Sequence, residues 1–191
     1  MPKMNGGEVI AEYLVKQKVP YIFGICGHGN VGILDALYHL KDKISLISPR
    51  HEQCAGHMAD AYSRVTGKTG VVLVTSGPGA TNTVTPIATA YMDSIPMVIL
   101  SGQVASHLIG EDAFQETDMV GISRPIVKHS FQVRHASEIP AVKQKVCTKN
   151  SAWFHSGNIF RFQAYSAGFY QVYKMMSCSV VFPVVQANKN H

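Results

Sequence analysis

One carboxylate, Glu52, stands at the start of a segment with helical spacing, HEQCAGHMADAYSRVTG. It follows the apolar run ISLIS (44–48) after only three residues, Pro49, Arg50 and His51. A carboxyl group in such a place can exchange a proton with a bound ligand. An acid is also favoured by the helix dipole in the first turn of any helix. Taken alone, the residue leaves both interpretations open.

Three polar or glycine-rich segments follow apolar runs in the same way. They are CGHGN (26–30), SGPGATN (76–82) and SGQV (101–104). Ligands of open parallel sheets bind beyond the carboxyl ends of the strands. We therefore predict that these three loops and Glu52 converge on one edge of a sheet.

The elements that would position them alternate along the first 140 residues. Helical spacing in GEVIAEYLVKQK, VGILDALYHLKDK, HEQCAGHMADAYSRVTG and GATNTVTPIATAYMDS is separated by the apolar runs PYIFGI, ISLIS, GVVLVTS and PMVILSG. Continuous apolar strands between helices are typical of a sheet covered on both faces. The pattern predicts an α/β fold, three-layer and doubly wound, with a mostly parallel sheet and helices on both faces.

The segment GHGNVG, Gly27 to Gly32, matches the dinucleotide fingerprint G-x-G-x-x-G. That fingerprint needs an acidic residue at the end of the next strand. Here the next strand ends in Ser48, Pro49 and Arg50, which would suit at best a 2′-phosphate. A Rossmann-type NADP-binding domain therefore remains an alternative.

Other motifs are incomplete. His51 and His57 are six residues apart, whereas a zinc pair on one helix face needs four. TGKT ends like a phosphate-binding loop, but Tyr62 stands where its first glycine belongs. The four cysteines form no C-x-x-C pair, and Cys54 is predicted to be a small buried residue rather than a nucleophile. We predict no metal site.

Composition restricts the class of protein further. All 12 acidic residues lie in 1–140 with 11 Lys and Arg, a net charge of −1, while 141–191 hold six basic residues and no acid. The basic excess of the chain thus comes from its last part, and we expect no nucleic-acid partner. No apolar run reaches the length of a membrane span, and the N-terminus has no signal-peptide core, so we expect no membrane partner. The expected location is intracellular, in the cytoplasm or an organelle.

Four motifs in order, R-H-E-Q (50–53), S-G-P-G-A-T-N (76–82), G-Q-V (102–104) and A-F-Q-E (113–116), carry a resemblance. From about Gly7 to Val146 the chain resembles the N-terminal pyrimidine-binding domain of acetolactate synthase large subunits and their thiamine-diphosphate-dependent relatives. Residues 147–191 resemble nothing in that family. We therefore predict a pyrimidine-binding domain over 1–146 and an atypical tail over 147–191, outside the family fold.

The resemblance implies roles for individual residues. Glu52 matches the catalytic glutamate that hydrogen-bonds the N1′ atom of the cofactor's aminopyrimidine. Gly77, Pro78 and Asn82 match the loop beside the pyrimidine, and the alternative for Asn82 is that it only caps a turn. Phe114 and Gln115 match a loop that approaches the substrate channel, although core filling by Phe114 is as good an interpretation. His28 departs from the small residue usual in its loop, and we predict that it faces the active site.

The resemblance also implies what the chain needs. It predicts a small 2-keto acid as substrate, pyruvate in acetolactate formation for branched-chain amino acid biosynthesis, and thiamine diphosphate held by its pyrimidine half only. Mg²⁺ and FAD are expected only in a full-length relative, because the family's G-D-G…N motif is absent and no acid follows Glu138. We predict a truncated fragment, inactive alone, that works as a homo-oligomer or with a chain supplying the diphosphate-binding domain. A small subunit of a split enzyme and a non-enzymatic interaction module are the alternatives.

Overall fold

The structure, a computed structural model, describes residues 4–142 and 179–185. Within these residues the helices are α1 (Gly6–Lys16), α2 (Val31–Tyr38), α3 (Glu52–Thr66), α4 (Pro78–Thr81), α5 (Val84–Met92) and α6 (Met119–Ser123). The strands are β1 (Tyr21–Gly24), β2 (Ser45–Ile47), β3 (Gly70–Val74), β4 (Met97–Gln103), β5 (His129–Ser130) and β6 (Ser179–Val185). Short 3₁₀ turns lie at His28–Asn30, Ser106–Leu108, Arg124–Ile126 and Ala136–Glu138.

The described strands form one sheet in the order β2-β1-β3-β4-β6-β5, and every described pair is parallel. The strands β3 and β4 are buried along their whole length. Continuous apolar sequence in β3 and in the first four residues of β4, Met97 to Leu100, is the expected consequence of cover on both faces. The predicted α/β class and the parallel sheet are confirmed.

Two separate hydrophobic clusters show the three layers directly. On one face, side chains of the sheet pack with α1 and α2, through Ile10, Leu14, Ile33, Leu37, Val71, Leu73, Val98 and Leu100. On the other face they pack with α3 and α5, through Ala55, Ala59, Val72, Val74, Ile87, Ala90, Met97 and Ile99. Successive residues of β3 and β4 alternate between the clusters, as side chains of a strand must.

Helix α3 begins and ends where the sequence predicts. His51 is its N-cap, in extended conformation, and its Nδ1 atom accepts a hydrogen bond from the Gln53 backbone N–H at 3.1 Å. Gly67 closes the helix at φ 69°, a left-handed conformation that glycine adopts without steric cost. Glu52 is therefore the first residue of the helix, directly after strand β2 and its short connection.

One predicted helix is divided in the structure. The segment GATNTVTPIATAYMDS forms α4 and α5, with Asn82 and Thr83 between them. Pro86 has no N–H to donate to the carbonyl four residues earlier, so a continuous helix would lose a bond here. Thr83 instead donates its hydroxyl hydrogen to the Ala80 carbonyl at 2.6 Å. The break leaves Asn82 at the end of α4, turned towards α3.

A cluster of charges fixes α3 against the end of α5. Arg64 donates to Asp60 at 2.8 Å and to Asp93, just after α5, at 2.6 Å. The hydrogen bonds to Asp60 and then Asp93 raise the pKa of the Arg64 guanidinium above its ordinary value, so it stays charged at every pH in common use. Asp60 is buried, and its Oδ1 atom has no hydrogen-bond partner among the described residues.

We expect Arg64→Gln to destabilise the fold by about 1–3 kcal/mol, because a buried carboxylate loses its charged partner. Asp93→Asn is the control: this residue is about half exposed, so its pair contributes about 0–1 kcal/mol. Urea unfolding of both variants measures the difference. Equal effects of the two substitutions would contradict the assignment of the larger role to Asp60.

The strand β6 belongs to the segment predicted as a tail. It pairs with β4 over seven residues, from Met97↔Ser179 to Gln103↔Val185, and with β5 at two. Residues 143–178 and 186–191 lie outside the described part of the chain. The predicted domain boundary at residue 146 therefore stays a prediction.

Candidate functional site

The carboxylate of Glu52 is held by a side chain from the next loop along the sheet. Asn82 donates from Nδ2 to Glu52 Oε2 at 3.0 Å, across 30 residues of sequence. Both residues are half-buried. The contact joins the start of α3 to the end of α4, so the Glu52 carboxylate has a defined orientation at the sheet edge.

The second carboxylate oxygen, Oε1, lies beside Gly79. A Cβ atom added at Gly79 would lie 3.4 Å from Glu52 Oε1 and 2.6 Å from Thr75 Cγ2. A side chain at position 79 would therefore displace Thr75 and fill the space next to the carboxylate. Glycine at this position keeps one face of the carboxylate open.

Gly77 begins the same loop with a backbone that only glycine adopts readily. Its φ is 55° and its ψ is −116°. It is also buried against the Gln115 backbone, since a Cβ at Gly77 would lie 2.5 Å from the Gln115 carbonyl oxygen. Gln115 itself has a positive φ of 61°. The predicted cofactor loop and the predicted substrate-channel loop are thus in direct backbone contact.

The loop after β1 meets the end of β4 at two glycines. A Cβ added at Gly102 would lie 2.4 Å from the Gly29 carbonyl oxygen. The Gly29 backbone N–H donates to Thr75 Oγ1 at 2.9 Å. The loops that follow β1, β3 and β4 therefore converge, as predicted from their positions after apolar strands.

The geometry of this loop argues against dinucleotide binding. The Gly27 N–H donates to Asn30 Oδ1 at 2.9 Å, and the Gly29 N–H is taken by Thr75. Asn30 is buried and also donates to the Ile25 carbonyl. Backbone amides of a dinucleotide fingerprint have to be open towards the pyrophosphate. The glycines of GHGNVG instead allow the loops to pack together.

Side chains at the end of β4 hold the loop that carries Phe114. Gln103, buried, donates from Nε2 to the Thr117 carbonyl at 3.0 Å. The Glu116 carboxylate accepts from the Ala113 and Gly110 backbone N–H groups. The sequence reasoning assigned no role to these two side chains, although both lie in the quoted motifs. The only sequence signal for these roles was that Gln103 lies in the motif G-Q-V and Glu116 in the motif A-F-Q-E.

Phe114 itself is 89% exposed. The interpretation that it fills the core is wrong, because the backbone of its loop is held at Ala113, Glu116 and Thr117 while the ring extends outward. Its proposed place beside a substrate channel stays a prediction.

The remaining predicted residues lie around this edge. His28 is exposed on the 3₁₀ turn between Gly27 and Gly29, and Pro78 is exposed at the first position of α4. The prediction that Cys54 is buried is wrong: its side chain is on the exposed side of α3, while Ala55 packs into the core. The roles of His28, Gly77, Pro78, Gln115 and the other candidate residues in binding or catalysis stay predictions.

Residues 4–122 match the family described as thiamine pyrophosphate enzyme, N-terminal TPP binding domain. That match covers more than half of the chain. The chain belongs to the thiamine pyrophosphate enzyme family. The resemblance drawn from the ordered motifs is thereby confirmed at the level of the family, and the converging loops are those of its N-terminal domain.

Within this family the chain is similar to acetolactate synthases. It is 61% identical to the acetolactate synthase large subunit of Buchnera aphidicola over 145 residues, 76% of this chain and 25% of that protein. It is 58% identical to the isozyme 3 large subunit of Escherichia coli over 145 residues, with the same coverage. The mitochondrial catalytic subunit of Saccharomyces cerevisiae is 50% identical over 137 residues, 72% of this chain and 20% of that protein. The chain spans about a quarter or less of the length of these relatives.

None of the helices in 4–142 is long and apolar enough to cross a membrane. Within the same part of the chain, no three His, Cys, Asp or Glu side chains are grouped so as to hold a metal ion.

Proposed function

We propose that this chain binds the aminopyrimidine of thiamine diphosphate at Glu52 and takes part in an acetolactate synthase-like reaction. The observation that carries the proposal is the hydrogen bond between Asn82 and Glu52 at the carboxyl edge of the sheet. A carboxylate oriented by a neighbouring amide and open on one side suits recognition of a ring nitrogen. The family match and the relatives' names support the same choice.

The residues around Glu52 fit a planar heterocycle. Gly79 leaves the space beside Glu52 Oε1 free of a side chain, and Gly77 has none to extend into it. The described hydrogen-bond partner of the carboxylate, Asn82, is neutral. An uncharged ring placed beside Oε1 could therefore share a proton with the Glu52 carboxyl group without meeting a side chain at position 77 or 79.

When bound, thiamine diphosphate supplies an electron sink for decarboxylating a 2-keto acid. Glu52 would share a proton with the N1′ atom of the pyrimidine, and Asn82 would hold the carboxylate in a fixed orientation for that contact. A carboxyl group is needed because an amide of the same shape cannot give up and take back the proton.

The rest of the reaction needs groups that this chain does not offer in the described residues. The diphosphate and its Mg²⁺ call for hard oxygen ligands, and in the described part of the chain no three His, Cys, Asp or Glu side chains are grouped so as to hold a metal ion. We propose that a second chain or domain supplies them, in a homo-oligomer or a split enzyme, and that this chain alone is inactive. The substrate we propose is a small 2-keto acid, with pyruvate first. FAD would belong to a full-length relative.

A chimera tests the proposal. The matching segment of the Escherichia coli relative, 58% identical, is replaced by that of this chain, and acetolactate formation from pyruvate is measured. The proposal predicts activity that depends on thiamine diphosphate. A folded chimera that binds NADPH and forms no acetolactate would favour the dinucleotide alternative instead.

His28 gives a separate prediction about the choice of acceptor. We propose that its imidazole faces the bound substrate, because its loop packs on Thr75, next to the Glu52 carboxylate. In the chimera, His28→Gly is expected to change the ratio of products from pyruvate alone and pyruvate with glyoxylate by about 10-fold, the scale of one lost hydrogen bond to substrate. His39→Gly, remote from this edge, is the control. An unchanged ratio places His28 outside the substrate contact.

A further inference from the structure

The strand β6 meets β4 at the functional edge of the sheet. The last two pairs of this ladder are Gly102↔Val184 and Gln103↔Val185. Strand β6 comes from the part of the chain that resembles nothing in the family. It nevertheless lies between β4 and β5, so it is an interior strand of the described sheet.

The two β4 residues at this end hold loops on both sides of the site. Gly102 contacts the Gly29 backbone in the loop that carries His28. Gln103 binds the Thr117 carbonyl in the loop that carries Phe114. A displacement of the end of β4 would move both loops together.

Without β6, one side of β4 would lack its described backbone partner. Each strand of a parallel sheet exchanges hydrogen bonds with its neighbours along its length, so an unpaired side presents a row of N–H and C=O groups without strand partners and removes the bonds that help to fix the strand end. Strand β5 would also lose the neighbour with which it pairs, at His129↔Val180 and Ser130↔Val181.

We propose that Ser179–Val185 is a positioning strand for the site: it fixes the end of β4, and through Gly102 and Gln103 it sets the loops that carry His28 and Phe114. That these loops bind cofactor and substrate rests on the proposed function. That β6 fixes the end of β4 and the two loops does not, because it concerns the backbone alone.

The position of Pro183 agrees with this arrangement. Pro183 is opposite Ser101 of β4, whereas β5 pairs only with Val180 and Val181. Beyond those two residues, β6 pairs with one described strand, β4. A proline is tolerated where the missing N–H would face an open side of the strand.

Hydrogen exchange of the full chain, followed by mass spectrometry, tests the proposal without cofactor. Successive residues of a strand direct their N–H groups to opposite sides, so Val184→Pro and Val185→Pro are both made, and one of them removes a donor to β4. We expect that variant to speed exchange in residues 101–105 and 27–30 by about tenfold, the effect of one lost hydrogen bond. Helix α1 is the internal reference and should not change.

Val180→Pro is the matched control at the other end of β6. It should speed exchange near Val98 or near His129, according to which side its N–H faces, but leave residues 101–105 unchanged. If the proline variants also speed exchange in α1, Val184→Gly and Val185→Gly replace them, since glycine weakens a strand and keeps its N–H.

The proposal is overturned if residues 179–185 of the unaltered chain exchange like an unfolded peptide. It is equally overturned if the variants at 184 and 185 leave residues 101–105 unchanged. Neither result depends on whether thiamine diphosphate binds.

Discussion

Replacing Glu52 with Gln in the chimera will slow exchange of the thiamine diphosphate C2 proton by about 10²–10⁴-fold. The amide keeps the size of the side chain and its contact with Asn82, but it cannot share a proton with the pyrimidine as a carboxyl group does. Proton NMR of samples quenched at intervals in deuterated buffer measures the exchange rate. The expected loss is in this rate more than in affinity for the cofactor.

Glu8→Gln is the matched control for the same chemical change. Glu8 caps helix α1, where its carboxylate accepts from the Asn5 backbone N–H at 2.7 Å, and an amide oxygen accepts that bond as well. Its variant should exchange the C2 proton at the unaltered rate. If Glu52→Gln and Glu8→Gln gave the same rate, Glu52 would be only a residue favoured by the helix dipole.

Gly77→Ala is expected to be the most destabilising of the substitutions considered for the loops. The alanine would have to keep a φ of 55°, which costs about 1–3 kcal/mol. Its Cβ atom would also lie 2.5 Å from the Gln115 carbonyl oxygen, and overpacking against backbone adds about 1–3 kcal/mol. Thermal unfolding followed by circular dichroism should show a fall in Tm of about 2–4 °C for each kcal/mol lost.

Substitutions at two other glycines separate the cost of the positive φ from the cost of the contact with Gln115. Gly67 has a φ of 69° with no atom near an added Cβ, so Gly67→Ala measures the backbone strain alone. At Gly32 nothing lies near an added Cβ and φ is not positive, so Gly32→Ala should stabilise α2 by about 0.4–1 kcal/mol. A Gly77→Ala variant no less stable than Gly67→Ala would show that the contact with Gln115 is not tight.

Much of this fold follows from local sequence. The four predicted apolar runs all became parallel strands. The signal is strongest in β3 and in the first four residues of β4, because these strands are buried along their whole length. Helix α3 was bounded correctly since His51 and Gly67 are cap residues with local hydrogen bonds. The break between α4 and α5 was missed, although Pro86 was visible, because the apolar spacing continues through it. No periodicity in the sequence predicted β6, because its place in the sheet depends on pairing with β4, about 80 residues away.

The sequence was enough to predict which loops form the candidate site, but not the contacts between their residues. Parallel strands bring their carboxyl ends together, so Glu52 and the glycine-rich loops had to share an edge. The bond from Asn82 to Glu52, the contact between Gly29 and Gly102 and the anchoring by Gln103 depend on tertiary packing. Local patterns carry no information about such contacts. Cys54 shows the same limit: a small residue after Glu52 suggested burial, but its side of α3 is exposed.

We propose that Glu52 and Asn82 together bind the pyrimidine of the cofactor. NMR of the full chain, with the Glu52 carboxyl carbon and the Asn82 side-chain amide assigned, tests it during titration with thiamine diphosphate. We predict that both signals shift along one binding curve, and that the pyrimidine protons show nuclear Overhauser contacts to the Asn82 amide. Signals of Glu52 and Asn82 that stay unchanged at saturating cofactor, or shifts confined to other parts of the chain, would contradict the account.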